Sequence, residues 1–195
     1  TGRPKRGVKY AWMLNAEHRS LNPERRTLNV QLSTLKLQVS GRDYQMGKKY
    51  RVGIIGFAHP HINHVASMFA AHPQAEMVAC ADTVPLCPEL RSVPYTREWN
   101  RNNVMRLAGI TRCYEDYHAM LTSEKLDIVA INSENNQHPD VVEACARAGV
   151  HVCVEKPMAI SLPDAQRMVK ACRDAGTTLI VNWPATWLPH ARKAK

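Results

Sequence analysis

The chain lacks the features that mark a membrane protein or a disulfide-stabilised secreted domain. Its 195 residues contain no run approaching ~18 consecutive apolar residues, so we predict no membrane-spanning helix and no membrane partner. None of its six cysteines forms a CxxC pair, and several, such as Cys80 and Cys153, lie inside apolar runs where cysteine is typical of a core. We therefore predict buried thiols in a reducing compartment, and so a cytoplasmic protein.

Acidic residues are scarce near the start of the chain, and this scarcity explains its net charge. Residues 1–50 hold 11 Lys and Arg against 3 Asp and Glu, whereas residues 51–195 hold 15 against 14. The formal charge of +9 therefore belongs to the first fifty residues and not to the rest. Because these basic residues are scattered and not interleaved with aromatics, they are typical of a solvated coil, and we predict no nucleic-acid partner.

Residues 1–45 show no sustained helical period, and a continuous core pattern begins only after them. Met46 is followed by Gly-Lys-Lys-Tyr-Arg and an apolar run, which is how many bacterial cytosolic proteins begin. One hypothesis is that Met46 is the natural start, so that 1–45 form a basic leader outside the fold and 46–190 form the domain. The alternative is a targeting peptide: Arg25-Arg26 resembles a twin-arginine signal, but polar residues interrupt the segment at 28–39 that would be its apolar core.

From residue 50 onward, short apolar segments alternate with amphipathic ones, and the length suits one domain. The apolar segments predict strands at 51–55, 76–81, 110–114, 126–131, 151–154 and 178–181. The amphipathic segments predict helices at 61–72, 97–108, 117–121, 138–148 and 162–175. Strands without inside–outside alternation imply a parallel sheet covered on both faces. Right-handed crossovers then favour an α/β, doubly wound Rossmann-type sheet of about six strands that binds a dinucleotide.

The first candidate site is the turn between the first strand and the first helix. A tight turn there directs backbone N–H groups and the helix N-terminus at a pyrophosphate. The G-x-G-x-x-G fingerprint keeps only its first glycine, because Ala58 and His61 stand at the second and third positions. An ordinary strand–helix turn is the alternative to nucleotide binding. The cofactor-binding residues predicted from this turn are Gly56, Phe57, Ala58, His59 and His61.

Asp82 ends the second predicted strand, 26 residues after Gly56, near the ~20 expected for the carboxylate that binds the adenosine ribose. A carboxylate there accepts a hydrogen bond from the 2′-hydroxyl and repels a 2′-phosphate. Thr83 follows, with no immediate Arg or Lys to receive that phosphate. We therefore predict NAD as the cofactor, with NADP less favoured. The alternative is an Asp that caps a helix.

Three histidines, His59, His61 and His64, stand close together in the sequence. A metal site needs three or four converging ligands, often including a carboxylate or thiolate. Only His61 and His64 share a helix face, and no acid or cysteine lies between Gly56 and His72. We therefore predict no metal here. A ring N–H that donates to a cofactor phosphate, or a capping or core histidine, are the two interpretations left open.

The most specific segment runs from the fourth predicted strand to the fifth. It reads Asp-Ile-Val-Ala-Ile-Asn-Ser-Glu-Asn-Asn-Gln-His over 127–138 and Ala-Gly-Val-His-Val-Cys-Val-Glu-Lys-Pro over 148–157. The Gly-x-His-Val-x-x-Glu-Lys-Pro string resembles a signature of the glucose–fructose oxidoreductase / inositol dehydrogenase (Gfo/Idh/MocA) family. The resemblance covers about residues 50–190.

The resemblance implies roles for single residues. The lysine of Glu-Lys-Pro lies by the nicotinamide in that family and hydrogen-bonds the substrate hydroxyl being oxidised, so this role falls on Lys156. Glu155 then lies near the nicotinamide carboxamide or ribose. After the fourth strand, Glu134 stands where the family has a proline. The cofactor-binding residues that the resemblance predicts are Asn132, Ser133, Asn135, His138, Glu155 and Lys156.

A second departure concerns the stretch 182–189, which follows the last predicted strand. Trp187 and Pro189 match the Phe and Pro of the family's Arg-Arg-Phe-x-Pro stretch, but its arginines are missing here. Because that stretch lies on the substrate side, the sequence leaves the substrate undetermined within the polyols.

The function that the resemblance implies is an NAD(P)-dependent oxidoreductase that transfers hydride between a sugar, cyclitol or related polyol and a nicotinamide cofactor. Lys156 is its predicted catalytic residue. Family members add a C-terminal substrate domain, which we expect to be absent from this chain, and we expect a homo-oligomer in the full-length protein. The alternatives are a non-catalytic NAD-binding regulatory module and, from charge alone, a nucleic-acid-binding arm at 1–45.

Overall fold

Six parallel strands form one sheet in the part of the chain that the computed structural model describes, residues 48–84 and 92–183. Their order across the sheet is β3-β2-β1-β4-β5-β6, which confirms the predicted doubly wound topology. The strands are β1 (Tyr50–Ile55), β2 (Ala75–Ala81), β3 (Arg112–Tyr114), β4 (Ile128–Ile131), β5 (His151–Glu155) and β6 (Leu179–Asn182).

Five helices connect these strands within the described ranges: α1 (His61–Ala71), α2 (Arg97–Ala108), α3 (Tyr117–Ser123), α4 (His138–Arg147) and α5 (Leu162–Asp174). The predicted leader 1–45, Cys87, and the residues Trp187 and Pro189 lie outside the described residues. All the described residues belong to the unit Met46–Lys195. Among the described helices, none combines the length and apolar character that crossing a bilayer requires.

The core lies on both faces of the sheet, as the strands without alternation predict. On one face, Ile55 of β1 packs in a cluster with Val141 of α4 and Met168 of α5. On the other face, the next residue along the strand, Ile54, packs with Ile62 of α1 and Val104 of α2. Successive side chains of a strand point to opposite faces. The central strand β1 therefore buries both of its faces and holds the turn that follows it.

The third predicted strand is shorter in the structure than the sequence pattern indicates. Gly109 ends α2 in the left-handed conformation, with φ +67°, and the Ile110 N–H still donates to the Met105 carbonyl of that helix. Ile110 is therefore part of the helix end, and β3 begins only at Arg112. A single glycine cap marks where the helix stops, but it does not mark where the next strand starts.

The prediction of buried thiols holds for Cys80, Cys145 and Cys172, while Cys153 is half-buried. It is wrong for Cys113, which is exposed because β3 is an edge strand of the sheet. These five described cysteines are all free. Cys113 lies beside Cys80 in the register of β3 and β2.

Candidate functional site

The predicted site residues follow the carboxyl ends of the strands, which meet at one edge of the sheet. Gly56 follows β1, Asp82 follows β2, Asn132 follows β4 and Lys156 follows β5. The sheet grows from β1 to β3 on one side and from β4 to β6 on the other, so its order reverses between β1 and β4. Such a reversal leaves a crevice at the carboxyl edge, where doubly wound sheets bind their ligands.

The turn after β1 requires glycine at Gly56. Its φ is +86°, and a Cβ there would lie 2.3 Å from the backbone nitrogen of Ser133. The Gly56 N–H donates to the Ala81 carbonyl at 3.0 Å, and the Ala58 N–H donates to the Asn132 carbonyl at 3.0 Å. The one glycine that this chain keeps of the fingerprint is therefore the one that the close approach of two loops demands.

Helix α1 begins directly after this turn, with no side-chain cap and no acidic residue in its first turn. Backbone N–H groups at a helix start attract anions such as phosphate. Ala58 is exposed and leaves the approach to the turn open. The Phe57 side chain, in contrast, is fully buried in the core, and its carbonyl accepts a hydrogen bond from Asn100. Any contact of Phe57 with a ligand at this turn is thereby limited to its backbone.

Three buried polar atoms along this edge have no hydrogen-bond partner among the described residues. They are Oδ2 of Asp82, Nδ2 of Asn132 and Oγ of Ser133. All three residues are at most 5% exposed. Leaving a buried donor or acceptor unpaired costs about 1–3 kcal/mol, so native proteins do so mainly where a ligand or ordered water completes the bond. The three atoms flank the turn at Gly56, which makes this edge the candidate ligand site.

Asp82 is held by a basic residue that lies fifteen positions along the chain. The Arg97 guanidinium donates to Oδ1 of Asp82 and to Oε1 of Glu134, and its side chain is only 13% exposed. Thr83 completes the network, because its N–H donates to Asp82 Oδ1 at 2.8 Å and its hydroxyl to Glu134 Oε2 at 3.2 Å. The network leaves only Oδ2 of Asp82 without a partner, as described above.

The electrostatics of Asp82 differ from those of an exposed carboxylate. The pKa of Asp82 is raised to about 6, mainly by burial and also by the charge of Glu134, while Arg97 and the Thr83 N–H act to lower it. Among the described helices, the next one after Asp82 is α2, and its cap is Thr96 and not Asp82. The residues next to Thr83 give no sign of Arg97, because it reaches Asp82 from fifteen positions along the chain.

Glu155, at the end of β5, is the second buried carboxylate of this edge. It is 2% exposed, its Oε1 lies 3.1 Å from Nδ1 of His61, and its Oε2 accepts a hydrogen bond from the Asn182 amide at 2.9 Å. The next residue, Lys156, is half-buried at the same edge. The structure thus brings Glu155, of the Glu-Lys-Pro segment, beside His61 at the start of α1.

His59 and His61 lie together with Glu155, and His64 does not join them. One ligand atom from each of the first three lies within 4.8 Å of the others. The lack of an acid or cysteine between Gly56 and His72 did not exclude a metal, because the nearby carboxylate belongs to Glu155 at the end of β5. Burial lowers the pKa of His59, and so do the charges of His61 and Lys156, while Glu155 raises it.

The other two predicted residues of the turn after β4 behave differently from each other. Asn135 is half-buried, so its side chain is accessible at the edge. His138 is fully buried, with Nδ1 3.1 Å from the Met158 carbonyl and Nε2 3.2 Å from the Ser133 carbonyl. His138 therefore ties the turn after β4 to the segment after β5. This arrangement makes it a support for Ser133 and places its ring in the interior.

Comparison with known proteins agrees with this geometry. The family model described as "Oxidoreductase family, NAD-binding Rossmann fold" matches residues 50–183. The chain is 44% identical over 81 residues to D-apiose dehydrogenase of Paraburkholderia graminis, which covers 42% of this chain and 22% of that protein. It is 28% identical over 106 residues to myo-inositol 2-dehydrogenase of Thermotoga maritima, which covers 54% and 32%. The chain thus matches less than a third of the length of either relative.

A solved structure shows the same fold. An oxidoreductase from Agrobacterium radiobacter, in complex with NAD+, L-tartaric acid and magnesium, superposes with a TM-score of 0.61 at 25% identity. The superposition covers 76% of this chain and 39% of that one. The family match covers more than half of the chain, and the sheet order is that of a dinucleotide-binding fold. The chain belongs to the Gfo/Idh/MocA oxidoreductase family, of which it carries the NAD-binding Rossmann fold.

Proposed function

We propose that this chain is the cofactor-binding part of an NAD(P)-dependent oxidoreductase acting on a sugar, cyclitol or related polyol. The observation that carries the proposal is the set of three unpartnered buried polar atoms, on Asp82, Asn132 and Ser133, around the turn at Gly56. A dinucleotide offers hydroxyl, phosphate and amide groups at the spacing of such an edge. The relatives named above are sugar and cyclitol dehydrogenases, which supports the substrate class.

Each part of the edge has a role in this proposal. The backbone from Gly56 to His61 and the start of α1 bind the pyrophosphate. Asp82 Oδ2 accepts from the adenosine ribose, while Asn132, Ser133 and Asn135 line the crevice toward the nicotinamide. When bound, the cofactor supplies the hydride chemistry. Lys156 hydrogen-bonds the substrate hydroxyl and handles its proton, and Glu155 beside it orients the nicotinamide end.

The preference for NAD over NADP rests on Asp82 and Arg97 together. Asp82 presents a carboxylate oxygen that suits a 2′-hydroxyl and repels a 2′-phosphate. Arg97 would otherwise attract that phosphate, but its guanidinium already donates to Asp82 and Glu134. With two carboxylates around one guanidinium, the local charge is negative. The edge therefore favours the cofactor that lacks a phosphate on its adenosine ribose.

A fluorescence titration with NADH tests cofactor binding. Asp82→Ala is expected to weaken NADH affinity about 10–100-fold, since a hydrogen bond to a charged group contributes about 1.5–3 kcal/mol. Asp140→Ala serves as the matched control, because Asp140 is an exposed aspartate on α4. Equal NADH affinity of Asp82→Ala and the unmodified chain would show that Asp82 does not bind the ribose.

The role of Lys156 is tested by comparing binding with turnover. In the full-length protein, Lys156→Ala is expected to lose NADH production from myo-inositol or a simple aldose and to affect NADH binding much less, whereas the 195-residue chain alone is expected to bind NADH without turnover. The competing function is a non-catalytic NAD-binding module, which the two replaced fingerprint glycines, at Ala58 and His61, favour. NADH binding by the full-length protein without oxidation of any polyol would support that module instead.

We further propose a cytoplasmic protein that forms a homo-oligomer in its full-length form and has no nucleic-acid partner. The five free cysteines among the described residues support a reducing compartment. The near balance of charge over residues 51–195 supports the absence of a nucleic-acid surface there. That 46–190 form the domain and 1–45 a leader outside it stays a prediction.

A further inference from the structure

We propose that His59, His61 and Glu155 form a binding site for a divalent transition metal of the zinc class. One ligand atom from each residue lies within 4.8 Å of the other two. His59 lies in the turn before α1, His61 is the first residue of α1, and Glu155 is the last residue of β5. Glu155 and the segment from Gly56 to His61 also belong to the nucleotide edge proposed above, but the metal site needs no cofactor in order to bind an ion.

The spacing within the cluster suits a metal. In a tetrahedral zinc site with bonds of ~2.0–2.1 Å, neighbouring ligand atoms lie about 3.4 Å apart. Nδ1 of His61 and Oε1 of Glu155 are 3.1 Å apart in this structure. The two atoms now share a hydrogen bond, and an ion between them would take the place of that shared proton.

The donor set selects the class of metal. Two imidazole nitrogens and one carboxylate oxygen are typical ligands of Zn²⁺, Co²⁺ and Fe²⁺, and three protein ligands leave positions open for water or another molecule. Mg²⁺ and Ca²⁺ prefer sets made of oxygen alone. The cluster should therefore discriminate between these two groups of ions. Mg²⁺ serves below as the ion that should not bind.

A hydrogen bond from outside the cluster holds Glu155 in place, as outer-shell groups do in metal sites. The Asn182 amide donates to Oε2 of Glu155 at 2.9 Å, which leaves Oε1 facing His61. The His61 backbone N–H donates to Nδ1 of His59 at 3.2 Å, so in the neutral ring Nδ1 carries the lone pair and must exchange this hydrogen bond for an ion. Glu155 is thus anchored through one oxygen, while both histidines exchange a hydrogen bond for the ion.

Access and charge also favour the site. The His61 side chain is 42% exposed, so an ion can reach the cluster from solvent, whereas that of Glu155 is 1% exposed. A carboxylate so deeply buried attracts a cation strongly because little water screens it. The positive charge of Lys156 acts against an ion here, and its influence reaches His59. The buried Glu155 carboxylate acts in the opposite direction and attracts the ion.

The test is a cobalt titration of the full chain without a polyhistidine tag and without nucleotide. Cysteines are first blocked with iodoacetamide, because free thiols such as exposed Cys113 also bind these metals. The absorption of bound Co²⁺ reports its coordination, and competition with Zn²⁺ gives the zinc affinity. The ligand variants are His61→Asn and Glu155→Gln, and His64→Asn is the matched control on the same helix. Circular dichroism verifies that each variant is folded.

We expect saturable binding of one Co²⁺ per chain, displaced by Zn²⁺ and not by Mg²⁺. Each ligand variant should bind at least ~10-fold more weakly, a loss that even outer-shell substitutions typically produce. His64→Asn should bind like the unmodified chain. Absence of saturable binding, or equal affinity of folded Glu155→Gln and the unmodified chain, overturns the proposal. Because no nucleotide is present, either result leaves the proposed dehydrogenase function untouched.

Discussion

Asp82 and Glu155 are two buried carboxylates at the same edge of the sheet, and their partners differ. Asp82 bonds through one oxygen to charged Arg97 and leaves its other oxygen unpaired. Glu155 uses both oxygens, one toward His61 and one toward Asn182. Two carboxylates that are equally buried can therefore differ in whether an oxygen is free to bind a ligand. The carboxylate with the unused oxygen is the one prepared for a hydroxyl, whereas the other must exchange a partner before it can bind anything.

The largest expected loss of stability comes from a substitution at Gly56, in the turn at the same edge as the two carboxylates. Gly56→Ala adds a Cβ at 2.3 Å from the Ser133 nitrogen and strains a φ of +86°. We expect a loss of about 2–5 kcal/mol in the free energy of unfolding, from left-handed strain and overpacking together. Chemical denaturation measures it.

Gly149→Ala is the control for that substitution. Gly149 has a similar φ of +73°, but a Cβ there meets nothing within 4 Å. Its loss should be about 1–2 kcal/mol, from the left-handed strain alone. Equal losses at the two glycines would show that the close approach to Ser133 contributes nothing.

The next effect concerns Asp82 and stability. Because burial raises the pKa of Asp82 to about 6 from 3.8, the folded protein holds this proton more tightly than the unfolded chain does. Folding stability should therefore fall as pH rises from about 4 to about 6. Asp82→Asn should remove this slope and raise stability at pH 7 by about 1–3 kcal/mol, given 1.36 kcal/mol per pKa unit. Urea denaturation at several pH values measures both.

The opposite pH slope in the unmodified chain, or a less stable Asp82→Asn protein at pH 7, would contradict that account of Asp82. The gain in stability should accompany weaker NADH binding. An unpaired buried oxygen on Asp82 lowers the free energy of unfolding of the ligand-free protein. A bound ligand that donates a hydrogen bond to this oxygen raises that free energy again.

The same change from carboxylate to amide should lower stability at Glu155, whereas it should raise stability at Asp82. Glu155→Gln replaces one acceptor oxygen by an NH2 group, so either the Asn182 amide or the His61 ring loses its acceptor. We expect a loss of about 1 kcal/mol in stability at pH 7. Thermal unfolding measures it, with Glu115→Gln, an exposed glutamate, as the control. A more stable Glu155→Gln protein would remove the distinction between the two carboxylates.

The smallest effect is expected at Glu134, the partly exposed partner of Arg97. Glu134→Gln leaves the guanidinium with one carboxylate, so it can attract a 2′-phosphate more strongly. The ratio of NADPH to NADH affinity should rise about two- to fivefold, consistent with the ~0.2–1 kcal/mol of an exposed ion pair. Parallel titrations with both cofactors measure it. An unchanged ratio would mean that Glu134 does not restrain Arg97.

Local signals were sufficient for the elements and for the turn. The alternation of apolar and amphipathic segments predicted all six strands, and Gly56 after the first of them located the tight turn between β1 and α1. Asp82 could be placed at the edge because parallel strands end on the same side. These signals did not fix the exact ends of helices and strands, as Ile110 shows. The end of a helix and the start of a strand depend on hydrogen bonds that a local pattern does not contain.

The amino-acid sequence by itself determined the fold class, the position of the turn at Gly56 and the Glu-Lys-Pro segment with Lys156, because these depend on short-range periodicity and on contiguous motifs. Tertiary structure alone decided which groups face each other. Arg97 meets Asp82 across fifteen residues, and Glu155 meets His61 across 94. No local pattern encodes such pairs, since the parallel sheet brings the ends of β1 and β5 to one edge whatever lies between them in the chain.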